Sequence, residues 1–198
     1  MFITSVGSFP KRKDLSWEEA TRFWIKIQED LGYDILVHGE QERADMVAYF
    51  GDVMGGFKPG EEPVRSYGNR FWIPPIITGK VHLKEHMTVD SWKFAQSLTQ
   101  KPVKGMLTGP GTIYDWSIDV HYGNREKAIE DIAEVLRTEI EELIVSGAKY
   151  IQIDEPSLAQ ADKEQIVFLG NVFEKMLRGL NAYFILHTCY GKDIFERM

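Results

Sequence analysis

Residues 147–156 read GAKYIQIDEP, and this stretch decides the fold class. Its apolar run Tyr150–Ile153 has the length of a buried strand, and it ends at Asp154, Glu155 and a proline that cannot continue a sheet ladder. The preceding residues Asn124–Gly147 form the clearest helical pattern of the chain, because apolar residues recur there at helical spacing with acids between them. A helix followed by a buried strand that ends in carboxylates predicts a β/α unit with its chemistry at the carboxyl end of the strand.

The same alternation continues on both sides of this unit. Further strands are predicted at the apolar runs Phe2–Val6, Asp34–Val37, Pro75–Gly79, Val103–Leu107 and Tyr183–Leu186. Further helices are predicted from a Ser16 cap to Gly32, and over Gln41–Phe50, Val89–Leu98 and Lys163–Leu180. The Gly- and Pro-rich residues 51–72 predict a long excursion with one hairpin. Strands that alternate with helices in this way predict an α/β fold with a parallel sheet, either doubly wound or a barrel.

The composition is that of one soluble domain and excludes several function classes. The 198 residues include 23 Lys and Arg against 30 Asp and Glu, a formal net charge of −7, which argues against nucleic acid or an anionic membrane as the partner. Cys189 is the only cysteine, so an intramolecular disulfide framework is excluded. The chain begins without an export signal, and no apolar run is long enough to span a bilayer, so we predict a cytoplasmic protein. No glycine-rich phosphate-binding motif follows a strand, which gives nucleotide binding no support.

Polar residues stand at the ends of the predicted strands, where a barrel gathers its active site. They are Ser8, Glu40, Thr108, Asp154, Glu155 and His187. Buried carboxylates in such a position usually meet a cation, a metal or a bound amine. A turn such as Gly7-Ser8 offers backbone N–H groups to an anion, for instance a carboxylate.

Each of these candidates also has a purely structural interpretation. Asp154 or Glu155 could cap a helix beside Ser157, and Glu40 could form a solvated ion pair with Arg43 on the next helical turn. The sequence pattern alone leaves both interpretations open.

His187-Thr188-Cys189 places an imidazole and a thiol on one side of an extended segment, a combination that favours zinc. Both residue types are also commonly buried for packing alone. Trp116, after a strand-end turn, could stack on a planar heterocycle or belong to the core. Arg70 and Phe71, in the long connection at residues 51–72, could contact a ligand or hold the loop against the rest of the protein.

Six stretches together resemble the cobalamin-independent methionine synthase family, in the family's order. They are SVGSFP at 5–10, LVHGEQERADMVAYFGD at 36–52, VRSYGNRFWIPP at 64–75, SWKFAQSLTQKPVKGMLTGPGTI at 91–113, IQIDEP at 151–156 and HTCY at 187–190. The resemblance implies a (β/α)8 barrel that transfers a methyl group to the sulfur of homocysteine, with zinc as cofactor and methionine as product.

The resemblance also implies roles for the amino-acid site. By motif, Val6, Gly7 and Ser8 would hold the carboxylate of the amino acid, and Glu40 and Asp154 would receive its ammonium. Coordination of the substrate thiol to zinc would keep it deprotonated near neutral pH.

The same resemblance makes His187 and Cys189 zinc ligands and places Arg70, Phe71 and Trp116 at the methyl-donor site, with Trp116 against the pterin of a folate donor. Here Arg70-Phe71 stands where Arg-Cys is more usual, which weakens inference about the geometry of the donor. Short forms similar to the archaeal core enzymes draw their methyl group from a corrinoid, so the donor is either a methylated folate or a methyl-corrinoid.

The chain departs from the full-length family members at both ends. Residues 1–198 correspond to the N-terminal three quarters of the catalytic barrel, about six of eight β/α units, without a separate N-terminal domain. The family's remaining zinc ligands, a Glu and a second Cys, and its proton-relay His match nothing in this sequence. We therefore expect an incomplete zinc site, no assignable catalytic residue and open barrel edges that invite self-association.

Two other functions fit the same residues. One is a related zinc barrel, of the corrinoid:coenzyme M methyltransferase or uroporphyrinogen-decarboxylase type, that acts on another thiol or substrate. The other is a truncated, non-catalytic paralogue that binds the amino acid or a partner chain.

Overall fold

The structure is a computed structural model that describes residues 2–65 and 71–189. In chain order its elements are α1 (Trp17–Asp30), α2 (Ala48–Val53), β1 (Met54–Lys58), β2 (Val64–Arg65), β3 (Phe71–Trp72), β4 (Ile76–Leu83), α3 (Val89–Ser97), β5 (Gly105–Thr108), α4 (Pro110–Asp115), β6 (Ile118–Asp119), α5 (Arg125–Val145), β7 (Tyr150–Asp154), a 3-10 helix (Pro156–Ala159), α6 (Lys163–Leu177) and β8 (Tyr183–His187). Within the two described ranges, no helix is both long and apolar enough to cross a membrane.

Five chain segments lie side by side in parallel, in the order in which they occur in the sequence. The first three segments are joined by single parallel bridges, from Thr4 to Ile35 and from Leu36 to Val103. From β5 the ladder is regular, because β5 pairs with β7 and β7 with β8, both in parallel. Helices α1, α3, α5 and α6 lie between successive segments along the chain. This arrangement is an incomplete β/α barrel, the fold class that the sequence predicts.

The predicted strand Pro75–Gly79 does not belong to this parallel series. It forms the start of β4, which pairs antiparallel with β1 and parallel with the short β6 in a separate sheet. The difference has a physical reason: β4 buries only Ile77 and Val81, with exposed or half-buried residues between them, whereas all of β5 is buried. Alternating burial is typical of a strand with one solvent-exposed face, and continuous burial is typical of a strand that is covered on both faces.

The predicted helix Gln41–Phe50 is also wrong at its start. Residues 41–47 form turns, and the helix α2 begins only at Ala48. Asp45 accepts hydrogen bonds from the backbone N–H groups of Val47 (2.8 Å) and Ala48 (3.1 Å). A short polar side chain that binds backbone N–H groups in this way favours a turn over a continued helix.

The core lies between the parallel segments and the helices, and α5 supplies its largest apolar face, with Ile129, Ile132, Leu136 and Ile140 fully buried. The predicted capping box of α1 is present, with Ser16 and Glu19 in reciprocal hydrogen bonds. One buried acid of α5 also has a structural role. Glu139 accepts backbone hydrogen bonds from Met87, Thr88 and Val89, and so caps the first turn of α3.

Candidate functional site

A buried polar bridge links the first segment to β7. Lys104, which is 1% exposed, donates from Nζ to the backbone oxygen of Ser5 (2.8 Å) and to Oε1 of Gln152 (2.6 Å). Gln152 donates from Nε2 to the backbone oxygen of Val6 (2.9 Å) and to Oδ1 of Asp154 (2.6 Å). The bridge therefore connects two segments that are far apart in sequence, and it places Val6 and Asp154 at one end of the sheet.

Asp154 and Glu155 are neighbours in sequence but have different roles. Glu155 is fully buried and accepts from the backbone N–H of Gly111 (3.0 Å), from both the N–H and the hydroxyl of Thr112, and from the hydroxyl of Ser157 (2.9 Å). It therefore caps the N-terminus of α4, and burial raises its pKa to about 7. The side chain of Asp154 makes none of these hydrogen bonds, and its Oδ1 accepts a hydrogen bond from Gln152.

Glu40 is brought to the same place by an unusual backbone turn. Gly39 and Glu40 both adopt left-handed conformations, with φ of 85° and 55°, which for Glu is a strained state of the kind concentrated at functional sites. The turn at Gly7 packs against it, because a Cβ at Gly7 would lie 3.3 Å from Oε1 of Glu40 and 2.6 Å from Cε of Met106. Phe9 N–H also donates to the oxygen of Gly39 (3.2 Å), which joins the two turns.

Arg43, which the sequence pattern offered as one possible ion-pair partner of Glu40, is almost fully buried. Its guanidinium donates to the backbone oxygen of Met106 (2.8 Å), to Oε1 of Glu42 (3.2 Å) and, more distantly, to Oε1 of Glu40 (3.4 Å). The pair between Glu40 and Arg43 therefore exists, but it is part of a buried cluster and not of a solvated helix surface.

We call Glu40, Arg43, Lys104, Gln152 and Asp154 the cluster. Burial and the neighbouring charges shift the pKa values of Asp154 and Lys104 within it. Burial, together with the negative charge of Glu40, raises the pKa of Asp154 to about 6, although the Gln152 hydrogen bond and the charges of Arg43 and Lys104 oppose the change. Burial lowers the pKa of Lys104 to about 8, against the attraction of Asp154 and Glu40. Burial thus disfavours the charged form of Asp154, and an added cation beside it would favour the ionised carboxylate.

His187 ends β8 in register with Asp154, and its Nε2 lies 3.1 Å from Sγ of Cys189. An open cavity of about 180 Å³ lies between His187 and the bridge, and its lining includes Ser5, Val6, Lys104, Gln152 and His187 but not Cys189, Glu40 or Asp154. Across residues 2–65 and 71–189, however, no three His, Cys, Asp or Glu side chains are grouped as a metal site requires. His187 and Cys189 are of residue types that bind zinc, but two such residues are fewer than the three or more ligands of protein zinc sites.

The predicted donor-site residues are only partly described. Arg70 lies outside the described residues. Phe71 is 66% exposed in β3, where it pairs with Arg65 of β2. Trp116, at the end of α4, is half-buried with its ring 5.7 Å from that of Trp72, so the β2–β3 hairpin and α4 meet through two indoles. Ser8 is exposed at the first turn.

Sequence reasoning missed three members of the cluster: Arg43 as a buried group, Lys104 and Gln152. A signal for two of them exists in the sequence. Lys104 and Gln152 are the polar residues inside the strand patterns VKGML and YIQID, where a side chain of that kind requires buried partners.

The fold and the cluster together define an incomplete β/α-barrel domain with partly buried acids at its strand ends. Residues 1–190 match the family described as "Cobalamin-independent synthase, Catalytic domain", and the chain belongs to that family.

Individual relatives are similar to this chain over only part of their own length. The 5-methyltetrahydropteroyltriglutamate–homocysteine methyltransferase of Bacillus licheniformis is 46% identical over 79% of this chain and 23% of its own, and that of Parvibaculum lavamentivorans is 40% identical over 96% and 27%. The chain thus spans about a quarter of the length of these relatives. Among solved structures, a B12-independent methionine synthase from Shewanella sp. W3-18-1 in complex with selenomethionine superposes with a TM-score of 0.84 at 28% identity, over 95% of this chain and 61% of that one.

Proposed function

We propose that this domain binds homocysteine in a cytoplasmic methyltransferase that forms methionine, with its amino-acid site built from the Val6–Ser8 turn, Glu40 and Asp154. The observation that carries the proposal is the pair of neighbouring acids beside a glycine turn at the strand ends. An ammonium group between Glu40 and Asp154 would offset the burial and the repulsion that together raise the pKa of Asp154 to about 6. The backbone of the turn would then meet the carboxylate of the same amino acid.

These contacts would fix the orientation of the bound amino acid. A ligand held by its ammonium at one end and its carboxylate at the other projects its side chain in one direction, which is how positioning lowers a reaction barrier. His187 and Cys189 are the residues toward which the sulfur would be directed, across the cavity that His187 shares with Val6. Zinc, when bound, would hold the substrate sulfur as a thiolate. The described residues offer only two of its ligands, so the proposal rests on the amino-acid contacts.

The methyl donor is proposed to be a methylated folate. The names of the relatives, 5-methyltetrahydropteroyltriglutamate–homocysteine methyltransferase, support a folate donor over a corrinoid. The contact between Trp72 and Trp116 supplies an aromatic surface on which a pterin ring could stack.

Calorimetric titration of the protein with L-methionine, the proposed product, tests the amino-acid site. We expect Asp154→Asn to weaken methionine binding by about 1.5–3 kcal/mol, roughly tenfold or more, because a charge-assisted hydrogen bond to the ammonium is lost. N-acetylmethionine, which has no ammonium, should bind weakly and with the same affinity to both proteins.

Asp131→Asn is the matched control, since Asp131 is a buried acid on α5 that contacts Tyr122 and Lys127 instead of the cluster. It should leave the methionine affinity unchanged. No binding of methionine by the wild type, or equal binding by the wild type and Asp154→Asn, would refute the proposed function.

A further inference from the structure

Gln152 is a polar side chain in the middle of a buried strand, and all of its hydrogen-bonding groups are in use. It is 3% exposed between Ile151 and Ile153, which both face the core. Its oxygen accepts from Lys104, and its nitrogen donates both to Val6 O and to Asp154 Oδ1. Burial of an amide in such a place is costly unless these bonds are made.

Only an amide side chain can hydrogen-bond to all three partners, because it has both an acceptor and two donors. An ammonium such as Lys104 only donates, so it fixes Oε1 of Gln152 toward itself and the nitrogen toward the other two partners. The Val6 carbonyl and the Asp154 carboxylate only accept, so both require a donor from the same side chain. A glutamate here would lack the donors, and an apolar residue would lack both functions.

These contacts join the two ends of the proposed amino-acid site. Val6 belongs to the turn assigned to the carboxylate, and Asp154 is the acid assigned to the ammonium. The Gln152 hydrogen bond occupies Oδ1 of Asp154, which leaves Oδ2 as the oxygen to meet an incoming ammonium. Lys104 reaches the same turn through the backbone oxygen of Ser5, so the bridge is anchored on both sides.

We propose that Gln152, held in orientation by Lys104, is a positioning residue that sets the distance and angle between the carboxylate-binding turn and Asp154, and so the fit of the site to an α-amino acid. This inference rests on the proposed function and extends it, since Gln152 acts through its hydrogen bonds to Asp154 and Val6.

A double-mutant cycle with methionine as the titrant tests the inference. Gln152→Met keeps the length of the side chain but removes its three hydrogen bonds, and we expect about a tenfold loss of affinity, the effect of roughly one hydrogen bond to a charged group. Because Gln152 acts partly through Asp154, the loss of affinity in the double mutant of Gln152→Met and Asp154→Asn should be smaller than the product of the two single losses, since groups that act through one another are not additive. Losses that multiply in the double mutant would overturn the inference.

Glu139→Gln controls for a general loss of stability, because Glu139 is a fully buried acid that caps α3 and has no contact with the bridge. It should lower the melting temperature without change in methionine affinity. If Gln152→Met does not fold, Lys104→Met enters the same cycle, with the same expected result. Failure of the wild type to bind methionine would refute the proposed function, whereas normal binding with full additivity would refute only the role of Gln152.

Discussion

At Gly7 the absence of a side chain is what lets the first turn approach the end of the second segment. A Cβ there would lie 2.6 Å from the Met106 side chain and 3.3 Å from Oε1 of Glu40. We therefore predict that Gly7→Ala displaces the Met106 side chain, shifts the Glu40 carboxylate slightly and weakens methionine binding, measured by calorimetry. Gly170→Ala on α6 is the control, because nothing lies within 4 Å of the position that its added methyl group would take. It should stabilise the helix by about 0.5–1 kcal/mol and leave binding unchanged. An unchanged methionine affinity in Gly7→Ala would show that the turn tolerates a side chain.

The adjacent acids show how far residue-level reasoning from sequence reaches. The position of Asp154 and Glu155 after a buried strand predicted either a functional site or a cap of the helix beside Ser157. The structure shows that Glu155 caps α4 instead, and that the 3-10 helix from Pro156 has no side-chain cap in the described part of the chain. The strand-end position alone could not assign the two roles, because the assignment depends on the α4 N-terminus, whose Gly111 and Thr112 donors point at Glu155. For the same reason, no local pattern contains the hydrogen bonds of Lys104 with Gln152 and of Gln152 with Val6, which join residues more than forty positions apart.

At the scale of elements, Asp131 shows how α5 is joined to the sheet of β4. Its carboxylate accepts from the hydroxyl of Tyr122 (2.9 Å), and that hydroxyl in turn accepts from the backbone N–H of Val81 in β4 (2.8 Å). Burial works against ionisation, but the hydrogen bonds from Lys127 and Tyr122 hold the pKa of Asp131 below its usual value. The contact therefore contributes stability above the unfolded-state pKa of about 3.9, and this contribution is lost as the pH falls through the folded-state pKa.

We accordingly predict that Asp131→Asn lowers the free energy of unfolding at pH 7, and that the difference from the wild type shrinks as the pH falls below about 4. Urea unfolding followed by circular dichroism at several pH values measures it. A difference that stays constant from pH 7 to pH 3 would mean that the Asp131 carboxylate has no lowered pKa in the folded protein.

The elements themselves were largely predictable, with exceptions that have a common cause. Strand-length apolar runs located all five parallel segments, and helical spacing located α1, α3, α5 and α6. The predicted strand Pro75–Gly79 was assigned to the wrong sheet, and Gln41–Phe50 was not helical at its start. In each case the outcome is decided by pairing or packing with distant residues, β1 and β6 for the strand and the buried Arg43 for the turn, which local patterns do not reveal.

For the molecule as a whole, the parallel sheet is open within the described residues, and apolar side chains lie at both of its edges. β8 pairs only with β7 there, and it exposes 70% of Tyr183 and 52% of Leu186. At the opposite edge, Phe2 is 71% and Val6 is 61% exposed. Unpaired strands with exposed apolar residues are templates for pairing with another chain.

We therefore propose that the 198-residue chain associates with itself through these edges, and we predict a mass above that of the 22.8 kDa monomer that rises with protein concentration in sedimentation experiments. Leu186→Lys should shift the distribution toward monomer, because a charge on an edge strand opposes edge-to-edge pairing. Val145→Lys is the matched control, since Val145 is 80% exposed on helix α5 and not on an edge strand, and the same change of charge there should leave the distribution as it is. If both substitutions shift the distribution equally, the association depends on net charge and not on the edges. If the protein is a monomer at every concentration, the open edges do not pair. If association also strengthens methionine binding, the partner copy would be completing the site, because Val6 lies both at the open edge and in the turn proposed to hold the carboxylate.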